Sequence, residues 1–395
     1  MISFNDAFAL AARSGQLLGT EEVPLRQAHR RVLARAVVAQ VQSPPADVSS
    51  MDGYAVRDSD LANLPTALPI AGESFAGRPF AGELPPASCV RVFTGGVVPS
   101  GAERVIVQEV VEREGCLARF RQPLSSARYI RRAGSDFARG EALLEPGTLL
   151  TPRALVAAAG ADVGEVVVAK RPLLHLLSTG DELVEPGMAR RSANAIPESV
   201  SFGVAALAEE WGALVQAIEQ LPDQLVLMEQ AAAEALDTAN LVVVTGGASV
   251  GEKDFAKAMF GPAGLELIFS KVSIKPGKPV WLGRARGKLV LGLPGNPTSA
   301  LVTARLFLAP LICGLTGRDP TQAAAWRRMP VGHALEPAGE RETFSRGFAA
   351  NGAVHLIGQQ DSGAQKVLAQ ADLLVRRFPG DTSMAAGAQV DVLEW

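Results

Sequence analysis

The stretch Leu241-Val242-Val243-Val244-Thr245-Gly246-Gly247-Ala248-Ser249-Val250-Gly251 decides the fold of this chain. Its first five residues form an apolar, β-branched run, which is typical of a strand buried in a parallel sheet. The run ends in a glycine-rich loop, where the backbone can approach a ligand closely. Residues 254–260 predict a short helix after the loop, and free N–H groups at a helix start favour anions. The pattern therefore predicts a phosphate-type site on an α/β domain.

Lysine is concentrated close to this loop. Six of the eight lysines lie between Lys253 and Lys288, whereas no arginine occurs from Ser192 to Gly283. Three of these lysines, at positions 271, 275 and 278, flank a proline-stiffened turn, and compact ammonium groups suit phosphate or another oxyanion. A second glycine-proline turn follows at residues 293–297. Each feature alone is also compatible with a chain reversal or a solvated charged face, but together they favour an anion site.

Two better-known phosphate-binding motifs are excluded by the residues at fixed positions. Gly246 and Gly251 have the spacing of a P-loop, but Glu252 and Lys253 stand where that motif requires Lys and Ser or Thr. The dinucleotide-binding glycine fingerprint is absent as well. The predicted anion site therefore belongs to neither class.

The composition predicts a soluble, multidomain protein. The 395 residues exceed what one core accommodates, which indicates two to four domains. A net charge of −3 gives no general attraction to nucleic acid or to an anionic membrane. Three dispersed cysteines and four scattered histidines predict neither a disulfide framework nor a zinc or iron site. The N-terminus does not resemble a signal peptide and the apolar run 300–315 contains Arg305 and Pro310, so we expect a cytoplasmic protein.

The order of patterns along the chain divides it into four predicted regions. Residues 1–44 and 141–170 read as one α+β linker domain, with a helical stretch expected through Leu33-Ala34-Arg35. Residues 45–140 alternate short apolar segments with Gly and Pro, which predicts an inserted small β-domain. Residues 171–316 alternate strands and helices, as in a doubly wound α/β domain. Residues 317–395 predict a C-terminal β-domain with a barrel-like form.

Acidic residues are predicted to complete the site. Ligands of doubly wound sheets bind at strand carboxyl ends, and Asp181 and Glu182 follow a predicted strand that ends at residue 178. Carboxylates facing lysines suggest Mg²⁺ bridging to phosphate, although a charged loop start explains them equally well. Asp52 lies in a bend before a strand of the inserted domain and, taken singly, is a turn former. Residues 341–347 either contribute cations to a cleft or form an edge strand protected by charge.

Six motifs, in this order along the chain, resemble one family. They are Ser50-Met51-Asp52-Gly53-Tyr54-Ala55, Thr94-Gly95-Gly96-Val97-Val98-Pro99, Ser178-Thr179-Gly180-Asp181-Glu182-Leu183, Thr245-Gly246-Gly247-Ala248-Ser249-Val250-Gly251, Lys275-Pro276-Gly277-Lys278-Pro279 and Leu293-Pro294-Gly295-Asn296-Pro297. Together they are similar to the motifs of the MoeA-type molybdopterin molybdenumtransferases. The resemblance is strong over about residues 1–315 and weaker in the tail.

The resemblance implies an elongated homodimer of four-domain subunits. The α/β domain of one subunit would face the inserted β-domain of the other across the active cleft. The implied reaction takes adenylylated molybdopterin and molybdate, releases AMP with the help of Mg²⁺, and leaves molybdenum on the pterin dithiolene. Contacts with other proteins of cofactor biosynthesis are a further expectation.

The resemblance also implies roles for individual residues. Catalytic roles fall to Asp52, Thr94, Glu182, Asp254, Lys271 and Lys275. Substrate-binding roles fall to Gly246, Gly247, Ser249, Gly251, Lys278, Pro294, Asn296, Pro297, Asp223 and Arg341. Mg²⁺ would be held by Asp52, Glu182 and Asp254, although an acid at a helix start, such as Asp254, is also an ordinary cap.

Two positions depart from the family pattern. Val200 stands where that pattern has the Asn of an Asp-Ser-Asn sequence, and Pro222-Asp223 stands where it has two acids. Both changes would weaken contacts to a nucleotide or a pterin. Two alternatives therefore remain open: a molybdopterin adenylyltransferase that uses only the α/β domain, and a molybdopterin-binding or scaffolding protein without catalysis.

Overall fold

A computed structural model describes residues 1–123, 125–191, 193–246 and 255–395 of the chain. The predicted site residues Gly247, Ser249, Gly251 and Asp254 lie outside the described residues. Within them, the helices are Phe4–Ser14, Pro152–Gly160, Val200–Glu210, Leu225–Thr238, Phe255–Ala258, Pro297–Thr303, Ala304–Leu308 (a π-helical segment), Ala309–Leu315 and Gln365–Ala369. Three six-stranded sheets and several two-stranded ladders accompany these helices.

The α/β unit is built on a six-stranded sheet. Its strands, in spatial order, are Leu214–Leu221, Leu173–Thr179, Leu241–Thr245, Lys288–Leu293, Trp281–Ala285 and Glu266–Ser270. The first four run parallel, and Trp281–Ala285 is antiparallel to both of its neighbours. Alternate residues of the Leu241–Thr245 strand enter two separate cores, one on each face of the sheet. This arrangement confirms the predicted α/β class and explains the continuous apolar run, because both faces are covered.

The strand order reverses next to the Leu173–Thr179 strand. The chain passes from that strand to the edge strand Leu214–Leu221, and then returns to form Leu241–Thr245 on the opposite side. In open α/β sheets the crevice at such a reversal, outside the carboxyl ends of the strands, is where ligands bind. The topology thus places a crevice after Thr179 and after Thr245.

A second sheet lies within the sequence region of the predicted insertion. Its strands, in spatial order, are Arg104–Val107, Gly53–Val56, Cys89–Val92, Thr66–Ser74, Leu117–Phe120 and Val111–Glu114. On either side of this region, Thr20–Pro24 pairs with Glu165–Ala169, and Val37–Val38 pairs with Ala142–Leu144. The segments before and after the second sheet are therefore joined to each other by antiparallel ladders.

The third sheet contains a strand from the lysine-rich segment. Its order is Ile274–Lys275, Glu342–Ala350, Leu373–Arg377, Gln389–Glu394 and Arg327–Pro330, with Ala353–Leu356 also paired to Glu342–Ala350. Glu342–Ala350 is thus internal to the sheet, and its Phe344 and Arg346 are 0% and 1% exposed. The interpretation of this segment as an exposed edge strand is wrong, because neighbours pair with its backbone on both sides.

The helix expected through Leu33-Ala34-Arg35 is also wrong. The nearby helical turn is the short Leu25–Gln27 segment. The Leu33 N–H donates to the Thr148 carbonyl at 2.9 Å, and the Ala34 N–H donates to the Val167 carbonyl at 2.9 Å. Hydrogen bonds to residues distant in the sequence therefore satisfy the backbone groups that a helix would have paired locally.

The apolar helical stretch Pro297–Leu315 is a core element. Its length and mean hydropathy of 1.6 would allow it to cross a membrane, but 89% of its most apolar window is buried inside the fold. Arg305 within it donates to the carbonyls of Glu394 at 2.8 Å and Ala323 at 2.6 Å. Burial lowers the pKa of Arg305 to about 10. The one cation of the stretch thus has backbone acceptors, as a core position requires.

Candidate functional site

A cavity of about 680 Å³ lies at the carboxyl ends of the parallel strands. We call it the strand-end cavity. It is lined by residues that directly follow three neighbouring strands, namely Gly180, Gly246 and Pro294. Among the predicted site residues, the structure brings together here Glu182, Asp223, Gly246, Pro294, Asn296 and Pro297.

Glycine allows the backbone segments at this cavity to pack directly against one another. Gly246 has φ +91°, and a Cβ added there would stand 2.4 Å from the carbonyl oxygen of Thr179. A Cβ on Gly295 would be 3.3 Å from the Gly246 Cα. The three strand ends therefore meet without intervening side chains, which leaves space for a ligand above them.

We expect Gly246→Ala to lower the free energy of unfolding by about 2–4 kcal/mol, because the new methyl group meets a carbonyl oxygen and the backbone is left-handed. Gly187→Ala is the matched control, since Gly187 has the same φ of +91° but nothing within 4 Å of the added Cβ. It should cost only about 1 kcal/mol. Urea unfolding measures the loss of stability in each variant; equal losses in the two variants would contradict the close-packing argument.

The carboxylates around the strand-end cavity have different surroundings. Glu198 is 6% exposed; it accepts hydrogen bonds from the Ser201 N–H at 2.9 Å and the Ser178 hydroxyl at 3.4 Å, and from the Ser201 hydroxyl. It therefore stabilises the start of the Val200–Glu210 helix. Glu182 is exposed, and its carboxylate oxygens lie 3.1 Å from the position of a Cβ on Gly180. Glu182 is the acid with the greater freedom to bind a ligand.

A second cavity, of about 860 Å³, lies between the α/β unit and the C-terminal sheet. We call it the lysine cavity. Lys275, Lys278, Arg341 and Arg377 line it, together with the acids Glu336 and Glu340. Arg377 is paired with Asp381 at 3.3 Å, so the two exposed lysines and Arg341 are the cations best placed for an anion.

The structure corrects the predicted position of the lysines. Lys275 and Lys278 line the lysine cavity instead of the strand-end cavity, because Ile274–Lys275 joins the C-terminal sheet beside Glu342–Ala350. Lys271 lines neither cavity. Its N–H donates to the Val280 carbonyl at 3.1 Å and its carbonyl accepts from Ile2 at 3.2 Å, so its backbone holds the chain in place.

The two cavities share their walls. Lys278 lines the lysine cavity, and the adjacent Pro279 lines the strand-end cavity. Gln360 lines the lysine cavity, and Gln365 of the same segment lines the strand-end cavity. A ligand in one cavity is therefore separated from a ligand in the other by a short turn and one loop.

Asp52 and Thr94 come together in the second sheet region. The Thr94 N–H and hydroxyl donate to the same oxygen, Asp52 Oδ1, at 2.7 and 2.8 Å. These bonds, the backbone one first, lower the pKa of Asp52. Next to Thr94, Phe93 stacks on Phe75 with ring centroids 4.3 Å apart, which supports this turn. Neither Asp52 nor Thr94 lines the strand-end cavity of its own chain.

The part of the chain that the structure describes contains no cluster of three or more His, Cys, Asp or Glu side chains suited to a metal ion. Of the predicted Mg²⁺ ligands, Glu182 lines the strand-end cavity and Asp52 does not, and Asp254 is outside the described residues. The exposed Glu182 carboxylate still fits Mg²⁺ chemistry, since this ion takes one or two carboxylates together with substrate phosphate.

The fold and the cavity define a class of protein: an α/β domain with a cavity at the strand-order reversal, in a chain that also contains two β-sheet units. Family models agree with this class along the chain. The probable molybdopterin binding domain matches residues 175–313, the MoeA N-terminal region (domain I and II) matches residues 2–161, and the MoeA C-terminal region (domain IV) matches residues 328–395.

The chain belongs to the MoeA family. It is 40% identical to the molybdopterin molybdenumtransferase of Haemophilus influenzae, with 83% of this chain and 81% of that protein covered. It is 33% identical to the enzyme of the same name from Synechococcus elongatus, with 99% of both chains covered. The crystal structure of a molybdopterin biosynthesis moeA protein from Pyrococcus horikoshii OT3 superposes over the whole of both chains with a TM-score of 0.86 and 25% identity. The family predicted from the six motifs is confirmed.

Proposed function

We propose that this protein is a molybdopterin molybdenumtransferase, which inserts molybdate into adenylylated molybdopterin and releases AMP. The observation that carries the proposal is the pair of adjoining cavities, one at the strand ends and one lined by cations. The relatives from Haemophilus influenzae and Synechococcus elongatus bear this name, which supports the same activity.

The strand-end cavity is the proposed site for adenylylated molybdopterin. Gly246 and Asn296 present backbone and amide groups at the ends of parallel strands, where phosphate-type ligands are usually held. Gly247, Ser249 and Gly251 remain in the proposal on sequence alone. The lysine cavity is the proposed site for molybdate, because Lys275, Lys278 and Arg341 can donate charge-assisted hydrogen bonds to a tetrahedral oxyanion.

The proposal includes Mg²⁺ and a second copy of the chain. Glu182 would hold Mg²⁺ from the α/β side, and Asp52, with Thr94, would reach the same cleft from the second copy of a homodimer; Asp254 stays as a further ligand on sequence alone. Bound Mg²⁺ would neutralise phosphate charge as AMP leaves. The chain's own residues bind and orient the two substrates.

The remaining proposals concern organisation and location. We propose a linker domain of residues 1–44 and 141–170, an inserted domain of residues 45–140, an α/β domain of residues 171–316 and a C-terminal domain of residues 317–395. A cytoplasmic location and contacts with other cofactor-biosynthesis proteins complete the proposal. Limited proteolysis followed by mass spectrometry tests the domain limits.

The purified chain should release AMP from adenylylated molybdopterin when molybdate and Mg²⁺ are both present, and EDTA should stop the release. Chromatography of AMP measures the reaction. Tight binding of the adenylylated pterin without AMP release would favour the scaffolding alternative. Formation of adenylylated molybdopterin from molybdopterin and ATP would favour the adenylyltransferase alternative.

We expect Lys275→Ala to raise the dissociation constant for molybdate about 10-fold, because one charge-assisted hydrogen bond is lost. Lys170→Ala removes an exposed lysine outside both cavities and serves as the control. Calorimetric titration with molybdate alone gives the constants without depending on turnover. Unchanged affinity in Lys275→Ala would remove molybdate from the lysine cavity.

A further inference from the structure

We propose that Gln365 determines specificity in the strand-end cavity, where its carboxamide contacts the edge of a planar nitrogen heterocycle carried by the substrate. The inference rests on the proposed function and names a residue that the motifs do not include. Two ring systems of adenylylated molybdopterin, adenine and the pterin, present the required chemistry: a hydrogen-bond donor and an acceptor side by side on one edge.

Gln365 reaches the strand-end cavity from the C-terminal unit. Apart from Gly363 and Gln365, the described residues that line this cavity come from positions 178–297. The Gln365 Nε2 donates a hydrogen bond to Ser199 Oγ at 3.1 Å. The carboxamide is thus held at the wall of the cavity beside the start of the Val200–Glu210 helix.

This hydrogen bond leaves part of the carboxamide available to a ligand. Nε2 carries two hydrogens and Oε1 accepts, so one donor and one acceptor remain after the bond to Ser199. Gln365 is exposed, which allows both groups to meet a ligand in the cavity. The carboxylates of Glu182 and Asp223, when ionised, are acceptors only and cannot offer this pair.

The rest of the wall suits the flat faces of a heterocycle. Val200, Pro279 and Pro294 place apolar surface around the cavity. The other carboxamide of the described lining, Asn296, directly follows Gly295, where an added Cβ would stand 3.3 Å from the Gly246 Cα. Asn296 is therefore placed at the phosphate-binding end, and Gln365 at the wall formed by the C-terminal unit.

The Gln365 side chain is not required to dock the C-terminal unit. The Thr298 N–H donates to the Ser362 carbonyl at 3.0 Å, and the Thr298 hydroxyl donates to the Ala364 carbonyl at 3.4 Å. These contacts fasten the same segment to the α/β unit independently of position 365. A hydrogen bond between exposed side chains contributes little to folding stability, so its loss leaves the fold intact.

Gln365→Leu in the full chain tests the inference, with Gln370→Ala as the control glutamine at the end of the same short helix. Calorimetry measures binding of AMP, of molybdopterin and of molybdate as separate probes. We expect Gln365→Leu to weaken AMP or molybdopterin about 10-fold, depending on which ring the amide contacts, and to leave molybdate unchanged. KM for adenylylated molybdopterin should rise while kcat stays the same, and Gln370→Ala should match the parent chain.

Two outcomes overturn the inference: unchanged affinity for both AMP and molybdopterin, or a loss that extends equally to molybdate and is accompanied by a lower Tm. The proposed function fails separately. If the parent chain binds AMP, molybdopterin and molybdate but releases no AMP from adenylylated molybdopterin, only the proposed function is overturned. If the parent chain releases AMP and the Gln365→Leu variant binds AMP and molybdopterin with the parent affinities, only the inference about Gln365 is overturned.

Discussion

Asp52→Asn should release AMP from adenylylated molybdopterin at least about 100-fold more slowly than the parent chain, because the proposed charged ligand for Mg²⁺ is lost. The substitution removes the negative charge of Asp52 and keeps the size and shape of the side chain. Both hydrogen bonds from Thr94 end on Asp52 Oδ1, and an asparagine oxygen can accept them equally. The turn that carries Thr94 should therefore keep its conformation.

Asp136→Asn is the matched control for this prediction. Asp136 is exposed and its one side-chain contact is a long hydrogen bond from the Ser43 hydroxyl, at 3.5 Å. Its variant should retain the parent rate of AMP release. Normal turnover by Asp52→Asn would remove the proposed cleft between two copies of the chain, since Asp52 is the one acid of the second sheet region that is assigned to it.

The hydrogen bonds from Thr94 also set the pH range in which Asp52 is charged. They favour the carboxylate, so the pKa of Asp52 in the folded protein lies below its ordinary value. Asp52 is therefore ionised throughout the neutral range and becomes protonated only as the pH falls through this lowered pKa. Loss of AMP release at pH values above the ordinary range of aspartate must then come from a different group.

Residues at the strand-end cavity could be predicted where they directly follow a strand that is recognisable from the local sequence. The apolar run 241–245 shows a strand buried on both faces, and the residues after it must stand at the carboxyl end of that strand. Gly180, Gly246 and Pro294, each within one of the motifs, directly follow strands of the same sheet. Their meeting at one cavity follows from parallel pairing alone.

The lysine cavity and Gln365 depend on contacts between distant parts of the chain. Ile274–Lys275 pairs with Glu342–Ala350, and no feature of the lysine turn indicates this partner. Gln365 bonds Ser199 across two structural units. The sequence shows Glu198 as an acid just before a helix start. It does not show that the Ser178 hydroxyl of a neighbouring strand donates a hydrogen bond to Glu198. Tertiary pairing therefore decided which predicted residues share a cavity.

The joint between the N-terminal helix and the C-terminal sheet centres on one buried ion pair. Arg376 Nε donates to Glu342 Oε1 at 2.5 Å, and the two side chains are 9% and 7% exposed. The Arg376 guanidinium also donates to Asn5 Oδ1 at 2.9 Å and lies 4.9 Å from the ring centroid of Phe4 and 5.0 Å from that of Trp326. Arg376 thus links three parts of the sequence.

We expect Arg376→Met to lower the free energy of unfolding by about 3–5 kcal/mol, because Glu342 is left as a buried, unpaired charge. Trp326 stands against the guanidinium, so its fluorescence during urea unfolding reports on this joint. Arg327→Met is the control: its pair with Glu394 at 3.0 Å is on the same sheet but both side chains are exposed, and its loss should cost no more than about 1 kcal/mol.

The pH dependence separates an unpaired charge from lost packing as the cause. Burial, opposed by Arg376, already raises the pKa of Glu342, so the folded state binds its proton more readily than the unfolded state. Removing Arg376 raises this pKa further. The destabilisation in Arg376→Met should therefore shrink as the pH falls and Glu342 is protonated, and Arg376→Met combined with Glu342→Leu should recover most of the stability at neutral pH. A loss that is independent of pH and persists in the double variant would mean that packing against Phe4 and Trp326, not the charge of Glu342, holds the joint together.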